Sequence, residues 1–270
     1  MHESRPAMEP AIGDLFSLRG KTALITGASG HLGAAMARGL AEAGARVIVS
    51  SRHLEKGETL AAELREFSEG NHFAVEIDHL QESSIQQGFS AALSSAGQID
   101  VMVNNGHAPS AADWRSVTGD EFRQQLENLT GYFLLSRLFR DQIVSRKAVG
   151  SLILVGSMYG IVGSYPDVYE GICSPSPVAY QALKGGIVQM TRHLAVYWAK
   201  DQVRVNCLSP GPFPGPQVPG ELIERLERKC PLERMGSPAE LKGPLVFLAS
   251  AASSYMTGQN LLIDGGWTAW

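Results

Sequence analysis

Short, uniformly apolar stretches alternate with longer amphipathic stretches along most of this chain. The apolar stretches have the length of strands and carry too few polar residues for a half-exposed sheet, so they predict strands buried on both faces. The predicted strands are Lys21–Thr26, Ala45–Ser50, His72–Ile77, Asp100–Asn105, Ser151–Gly156 and Arg204–Ser209. The predicted helices are Leu32–Ala43, Leu54–Phe67, Ser84–Ala96, Glu121–Arg146 and Val178–Ala199.

This alternation predicts the fold class, because strands joined by helical crossovers pair in parallel with helices on both sheet faces. We expect an α/β fold of the Rossmann type: a doubly wound parallel sheet in a three-layer α/β/α arrangement. The chain has 270 residues, 44% of them hydrophobic, and no internal repeat, so a single domain over residues 15–270 is the simplest reading. Residues 1–14 are expected to be a flexible leader, and ligands are expected at the carboxyl ends of the strands.

Composition narrows the classes of partner. The formal net charge is -4 and no run of Lys and Arg occurs, so nucleic acid is not an expected partner. Cys173, Cys207 and Cys230 are widely spaced, without a CxxC pair or a histidine at ligand spacing; this predicts neither a disulfide framework nor a metal site, and favours a cytoplasmic location. No apolar stretch has the length of a secretory signal or of a membrane span, so no membrane association is expected.

The stretch TGASGHLG, Thr26–Gly33, follows the first predicted strand and opens the first predicted helix. Such a turn predicts a dinucleotide site, because free N–H groups and the positive end of the helix dipole attract a pyrophosphate. Gly27 is expected to make the turn, Gly30 to let the backbone approach the phosphates, and Gly33 to let the helix pack on the sheet. The alternative is a plain strand-to-helix turn. The predicted cofactor contacts in it are Gly27, Ser29, Gly30, the backbone N–H of His31, Leu32 and Gly33.

The end of the second predicted strand indicates which dinucleotide binds. An acidic residue there would bind the adenosine ribose of NAD, but the chain has Ser51 followed by Arg52. Nothing then repels a 2′-phosphate, and the guanidinium can bind one, with Lys56 adding charge. NADP is therefore favoured over NAD, unless Arg52 is only a solvated surface charge. Asp78, which ends the third strand, either contacts the adenine or caps the next helix.

The stretch YQALK places Tyr180 and Lys184 on one face of a predicted helix. A neighbouring ammonium stabilises a phenolate and lowers the pKa of the tyrosine, so the pair could exchange a proton with an alcohol oxygen. Ser157, after the fifth strand, could hold the same oxygen by a hydrogen bond. On its own the Tyr-x-x-x-Lys spacing is mostly structural.

Together with DVMVNNG, ENLTGYF, LVGS, RVNCLSPGP and the C-terminal PLERMG to IDGGW stretch, these motifs resemble the short-chain dehydrogenase/reductase family from about Leu18 to Trp270. The resemblance implies a nicotinamide cofactor, hydride exchange with a secondary alcohol or ketone, and a homotetramer or homodimer. It implies that Tyr180 exchanges the proton, Lys184 lowers its pKa and binds the nicotinamide ribose, Ser157 orients the substrate, and Asn128 supports a water-linked proton path. The implied cofactor contacts are Asn105, Gly106, Tyr180, Lys184, Pro210, Gly211 and Phe213.

Two departures from the family pattern lie near the cofactor. The glycine spacing T-G-x-x-G-x-x-G is usual in the extended branch, which includes sugar-nucleotide epimerases and dehydratases. That branch normally has a larger C-terminal substrate domain, whereas here TGQNLLIDGGW closes the sheet at the end of the chain; the short, single-domain branch is therefore favoured. In NNGH, His107 replaces a glycine; it either bonds the substrate or a phosphate, or is a neutral loop histidine.

A third departure is the distance between Ser157 and Tyr180, which is longer than is usual in the family. The extra residues lie within Tyr159–Val178, a segment rich in tyrosine and acidic residues that suits a polyhydroxylated ligand; an oligomer contact is the alternative. Such an insertion resembles that of gluconate-type dehydrogenases and of glycan-modifying members. Glu221–Lys229 is expected to be a mobile substrate lid. Gly215 stands where many relatives have a threonine, and Trp267 and Trp270 are expected near a subunit interface or in ordinary packing.

The sequence thus predicts an NAD(P)-dependent oxidoreductase acting on a small-molecule secondary alcohol or ketone, with a sugar, sugar acid or polyol as a candidate substrate. Two other functions stay open. One is a sugar-nucleotide epimerase or dehydratase with retained NAD, suggested by the glycine spacing. The other is a cofactor-sensing binding protein without turnover, although such a protein would not need the complete set Asn128, Ser157, Tyr180 and Lys184.

Overall fold

The computed structural model describes residues 9–109 and 113–270. A seven-stranded parallel sheet forms its centre. The strands are β1 Thr22–Ile25, β2 Arg46–Ser51, β3 Phe73–Glu76, β4 Val101–Asn104, β5 Gly150–Val155, β6 Val203–Pro210 and β7 Asn260–Ile263. Their order in the sheet is β3-β2-β1-β4-β5-β6-β7. The chain moves outward from β1 to β3 and then returns to add β4 on the other side of β1, which opens a crevice at the carboxyl ends of β1 and β4.

Helices cover both faces of the sheet. The helices are α1 Ile12–Phe16, α2 His31–Glu42, α3 Leu54–Phe67, α4 Glu82–Ala96, α5 Gly119–Arg146, α6 Pro166–Tyr169, α7 Val178–Trp198, α8 Gly220–Glu227 and α9 Lys242–Ala249. Apolar residues of α2, α3 and α9 pack on one face, and those of α4, α5 and α7 pack on the other. The inner strands are therefore buried on both sides, and the predicted doubly wound, three-layer α/β architecture is confirmed.

Most element boundaries lie within a few residues of the sequence prediction, and α3 has the predicted limits. Helix α5 begins earlier than predicted because Thr118 and Glu121 form a capping box, each side chain bonding the other residue's backbone N–H. The helix α1 begins at Ile12, inside the segment predicted as a leader; residues 1–8 of that segment lie outside the described residues. Among the described helices, none combines the length and the apolar character that crossing a membrane requires.

A third, smaller apolar cluster is built from segments that follow β5, β6 and β7. It joins Met158 and Val168 to Leu222 and Leu226 of α8 and to Trp267. Because these segments leave the carboxyl ends of their strands, the cluster supports the region above the sheet where ligands bind in such folds.

Candidate active site

The turn between β1 and α2 is held against the loop after β4. Gly27 has a φ of +60°, and a Cβ there would lie 2.8 Å from the Gly106 Cα. A Cβ at Gly33 would overlap the Gly27 carbonyl oxygen. The Asn105 amide donates to the carbonyl oxygens of Thr26 and Gly27, both at 3.1 Å. The glycines therefore allow close backbone packing, and Asn105 fixes the shape of the turn.

The first turn of α2 presents free donors. The backbone N–H groups of His31, Leu32 and Gly33 precede the first internal bond of the helix, from Ala34 N–H to the Gly30 carbonyl at 2.9 Å, and bond no acceptor in residues 9–109 or 113–270. The N-cap residue Gly30 has no side chain to satisfy them. Three free N–H groups at the positive end of a helix fit a dinucleotide pyrophosphate.

These donors face a groove of about 540 Å³, here called the phosphate groove. Arg52 and Lys56 are exposed along it, and within the described part of the chain the Arg52 guanidinium bonds no protein group. Ser51 is buried, and its hydroxyl bonds the Ser29 hydroxyl at 3.1 Å and accepts from the His53 N–H at 3.2 Å. The predicted cofactor residues that line the phosphate groove are Gly27, Ser29, Gly30, His31, Leu32, Gly33, Ser51, Arg52, Asn105 and Gly106.

Asp78 does not line the phosphate groove, although its neighbours Ile77 and His79 do. Its carboxylate accepts from the Leu80 N–H at 3.0 Å and from the Gln81 amide at 3.2 Å. The side chain thus stabilises the turn before α4, which is close to the capping role considered as the alternative; the N-cap residue itself is Gln81.

A second groove, of about 260 Å³, continues from the first and is here called the catalytic groove. Leu32, Asn105 and His107 line both grooves, so the two form one cleft across the carboxyl ends of β1, β4 and β5. A ligand with a phosphate end and a reactive end would span it. The predicted site residues in the catalytic groove are Leu32, Asn105, Ser157, Tyr180, Lys184, Pro210, Gly211 and Phe213.

Ser157, Tyr180 and Lys184 converge in the catalytic groove. The Lys184 Nζ lies 5.6 Å from the centre of the Tyr180 ring and donates to the Val155 carbonyl at 2.8 Å. Burial lowers the pKa of Lys184 from 10.5 to about 8, although the thiol of Cys207 acts in the opposite direction. Burial also raises the pKa of Tyr180, while the Ser157 hydroxyl lowers it. In the protein alone the pKa of Tyr180 is therefore raised, and the lowering by Lys184 predicted from the sequence is wrong for this state; the group that lowers the pKa is the Ser157 hydroxyl.

Asn128 lies behind the groove rather than in it. Its side chain is 1% exposed. Its Oδ1 accepts from the His79 ring and from the Ala108 N–H, both at 2.8 Å, and its amide donates to the carbonyls of Gln125 and Ala108. Because the side chain is saturated by protein partners, it holds the loop after β4 in place.

Three residues at this site were missed from the sequence: His53 and His79 in the phosphate groove, and Gln125, which bonds His107. His53 and His79 follow β2 and β3 at the carboxyl edge, and that position was the available signal. Gln125 lies one helical turn before Asn128, which places both on one face of α5. No cluster of three His, Cys, Asp or Glu side chains suited to a metal occurs in the described ranges.

The predicted lid, α8, is fastened to the segment between Ser157 and Tyr180. Arg225 donates to the backbone carbonyls of Asp167, Val168 and Glu170, the last at 2.7 Å. Lys229 pairs with the Asp167 carboxylate at 2.9 Å. Helices α6 and α8 are thus one connected unit. Trp267 also packs against the segment between Ser157 and Tyr180: it is buried, and its ring centre lies 5.5 Å from that of Tyr165. Trp270 is exposed.

Comparisons with known proteins agree with this arrangement. A family model described as enoyl-(acyl carrier protein) reductase matches residues 27–268. The chain is 34% identical to a ribulose-forming D-arabinitol 2-dehydrogenase of Scheffersomyces stipitis, over 94% of this chain and 96% of the relative. It is 33% identical to 3beta-hydroxysteroid dehydrogenase 1 of Eggerthella lenta, over 93% and 95%.

A solved structure gives the same result at the level of the fold. The chain superposes on a gluconate 5-dehydrogenase from Burkholderia cenocepacia, solved with NADP and tartrate, with a TM-score of 0.87 and 29% identity, over 96% of this chain and 100% of the other. The cleft, its free N–H donors and the Ser157, Tyr180 and Lys184 cluster are therefore found in a chain similar to known dehydrogenases along its length. This chain belongs to the short-chain dehydrogenase/reductase family and is an NAD(P)-dependent oxidoreductase, as its sequence predicts.

Proposed function

We propose that this oxidoreductase interconverts a secondary alcohol and a ketone on a polyol, sugar or sugar acid, and that it uses NADP in preference to NAD. The observation that carries the proposal is the convergence of Ser157, Tyr180 and Lys184 in a groove continuous with free helical N–H donors. The substrate class is supported by similarity to a D-arabinitol 2-dehydrogenase and to a gluconate 5-dehydrogenase.

The chemistry divides between the cofactor and the protein. When bound, the nicotinamide accepts or supplies the hydride. The Tyr180 hydroxyl donates its proton to the carbonyl oxygen in reduction, or as phenolate takes the proton from the alcohol in oxidation. Because burial raises the pKa of Tyr180, the phenol keeps its proton at neutral pH, and oxidation should accelerate as the pH rises. The Ser157 hydroxyl orients the substrate oxygen, and the Lys184 ammonium stabilises the phenolate.

The NADP preference is argued from charge at the end of β2. Arg52 is an exposed cation in the phosphate groove with no protein group bonded to it among the described residues, and Lys56 lies on the same wall. The neighbouring Ser51 carries no charge, so a 2′-phosphate meets attraction without repulsion. The similar gluconate 5-dehydrogenase was solved with NADP.

The substrate class also has support within the chain. Tyr159, two residues after Ser157, is close enough to Tyr180 for that phenol to raise the pKa of Tyr159, and its hydroxyl bonds the Tyr169 hydroxyl at 2.7 Å. Phenol hydroxyls near Tyr180 are suited to a ligand with several hydroxyl groups. A steroid is the second candidate substrate, because a 3beta-hydroxysteroid dehydrogenase is comparably similar in sequence.

We also propose a homotetramer or homodimer acting in the cytoplasm. Val196 and Tyr197 on α7 are 77% and 61% exposed, and exposed apolar side chains of this size suit a subunit interface. The three cysteines are free, which suits a reducing compartment. Light scattering during size-exclusion chromatography measures the assembly, and a monomer at micromolar concentration would contradict it.

One experiment tests the proposed activity and separates it from its rivals. The purified enzyme is incubated with D-arabinitol, galactitol, D-gluconate, L-fucose or a 3β-hydroxysteroid and with NADP or NAD, and the absorbance of the reduced nicotinamide is followed. We expect turnover with at least one polyol or sugar acid and a higher kcat/KM with NADP. Turnover of the steroid alone would refute the substrate class. Tightly retained NAD without net reduction would indicate an epimerase or dehydratase, and binding without any turnover would indicate a sensor.

A further inference from the structure

His107 occupies an unusual place in the cleft. It follows β4, lines both the phosphate groove and the catalytic groove, and is half-buried. Its ring centre lies 5.3 Å from that of Tyr180, and the two planes meet at 68°, so the imidazole packs edge-on against the phenol. A side chain in this position borders the space where the reacting carbon must lie.

The protein holds this imidazole in one orientation. The amide of Gln125, which is 2% exposed, donates to the His107 Nε2 at 2.8 Å. On the other side, the Ala108 N–H is bonded to Asn128 Oδ1 at 2.8 Å, which fixes the backbone directly after the histidine. A ring restrained both through its own nitrogen and through the adjacent backbone loses little further freedom when it binds a ligand.

The charge and tautomer of the ring follow from its surroundings. Burial, with the nearby Lys184 ammonium and His79, lowers the pKa of His107 to about 3. The ring is therefore neutral at physiological pH, and because Nε2 accepts a hydrogen bond, the proton lies on Nδ1. No group in residues 9–109 and 113–270 bonds Nδ1, and this atom is not buried. It is thus open to the cleft as a donor.

We propose that His107 is a substrate-binding residue whose Nδ1–H donates a hydrogen bond to an oxygen on a carbon next to the reacting one. The inference rests on the proposed function, because only a substrate with a second oxygen, such as a polyol or sugar acid, can accept this bond. Gln125 is the positioning residue that holds the ring in its donating orientation. A cofactor phosphate is the other ligand considered for this histidine, and the packing of the ring against Tyr180 favours the substrate over it.

The test compares substrates with and without a neighbouring hydroxyl. The variants are His107→Phe, which keeps a ring against Tyr180 without nitrogen atoms, and His107→Asn, which keeps an N–H donor. The substrates are cyclohexanol and the best of D-arabinitol, galactitol and D-gluconate. Loss of one neutral hydrogen bond, worth about 1 to 1.5 kcal/mol, raises KM about 5- to 10-fold. We expect this rise for His107→Phe with the polyol, a smaller rise for His107→Asn, and less than about a 2-fold change in kcat/KM with cyclohexanol.

Two further variants sharpen the experiment. Gln125→Leu should raise KM for the polyol while leaving kcat within about 2-fold, since it frees the ring without removing it. His193→Gln, on the exposed face of α7, is the matched histidine control and should leave KM and kcat unchanged for both substrates. Fluorescence titration with NADPH shows whether each variant is folded and measures its cofactor Kd, which we expect to be unchanged.

The outcomes separate the two proposals. The role of His107 is overturned, and the proposed function is not, if His107→Phe leaves KM for the polyol unchanged or lowers kcat/KM equally for the polyol and for cyclohexanol. A selective rise in the Kd for NADPH overturns it in favour of a phosphate contact. If the unsubstituted enzyme oxidises cyclohexanol but none of the polyols, or neither class, the proposed function fails and the role of His107 fails with it.

Discussion

Replacing Lys184 by methionine is expected to stabilise the cofactor-free protein while abolishing its activity. The Lys184 side chain is 4% exposed, and it takes part in none of the ion pairs among the described residues. Its polar contact is one hydrogen bond to the Val155 carbonyl. A buried ammonium without a counter-ion opposes folding, and methionine fills nearly the same volume without a charge.

The magnitude follows from the pKa. Burial lowers the pKa of Lys184 from 10.5 to about 8, so between these values the unfolded chain binds the proton more tightly than the native protein. Below pH 8 the native state bears the full cost of about 3 kcal/mol, and this cost disappears as the pH rises to about 10.5. The lost hydrogen bond offsets about 1 kcal/mol, since the Tyr132 hydroxyl at 3.4 Å still reaches the Val155 carbonyl. Lys184→Met should therefore be about 2 kcal/mol more stable near pH 7.

Urea unfolding of both proteins at one protein concentration measures this difference. Burial raises the pKa of Cys207, Tyr132 and Tyr180 in both proteins, so this effect of burial is common to the two. The measured difference therefore reports Lys184 together with its electrostatic coupling to Cys207. We expect the advantage of the variant to shrink from pH 8 upward and to reverse by about 1 kcal/mol above pH 10.5, where only the lost hydrogen bond remains. A variant that is less stable near pH 7, or a difference independent of pH, would refute the reasoning.

Three further substitutions test the cleft. Tyr180→Phe should lower kcat by about 100- to 10,000-fold through loss of the proton-exchanging hydroxyl, with an unchanged Kd for NADPH by fluorescence; a near-normal rate would exclude Tyr180 from proton transfer. Arg52→Ser should lower kcat/KM for NADP about 10- to 100-fold and kcat/KM for NAD by less than about 3-fold. The surface control Arg192→Ser should alter neither value. Equal losses of kcat/KM with NADP and NAD in Arg52→Ser would remove the basis for the NADP preference. Gly33→Ala forces a Cβ onto the Gly27 carbonyl and should lower the free energy of unfolding by about 1 to 3 kcal/mol. Its control Gly243→Ala meets nothing within 4 Å and should be neutral or stabilising, and similar values for both would show that the turn tolerates a side chain.

The longer helices and the strands were predictable because the spacing of apolar residues that marks them in the sequence also decides which side chains pack in the core. Helix α3 begins and ends at the predicted residues, and each predicted strand has a counterpart in the sheet. The short helices α1, α6 and α9 were not predicted, since one or two turns leave too few residues for a hydrophobic period to be recognised. The start of α5 was missed although Thr118 and Glu121 carry the capping signal in the sequence.

At the site, spacing predicted which residues meet but not what their environment does to them. The sequence places Tyr180 and Lys184 one helical turn apart, yet the pKa of Tyr180 is raised by burial, and part of that burial comes from residues distant in sequence, such as His107. Asn128 was a candidate from the family resemblance, and only the structure shows its side chain saturated by His79, Ala108 and Gln125. Asp78 was placed at the correct strand end, but its carboxylate is used within its own turn. Contacts between loops leave no periodic signal.

The link between Arg225 and the α6 segment has a consequence for how such a site can diversify. The guanidinium bonds main-chain oxygens of residues 167, 168 and 170 rather than their side chains. Main-chain acceptors are the same whatever residue provides them, so the bonds made by Arg225 do not depend on which side chains stand at these positions. The Lys229–Asp167 ion pair and the packing of Val168 with Leu222 and Leu226 do depend on them. At position 170, where Glu170 is exposed, the residue can therefore change while the two segments stay joined.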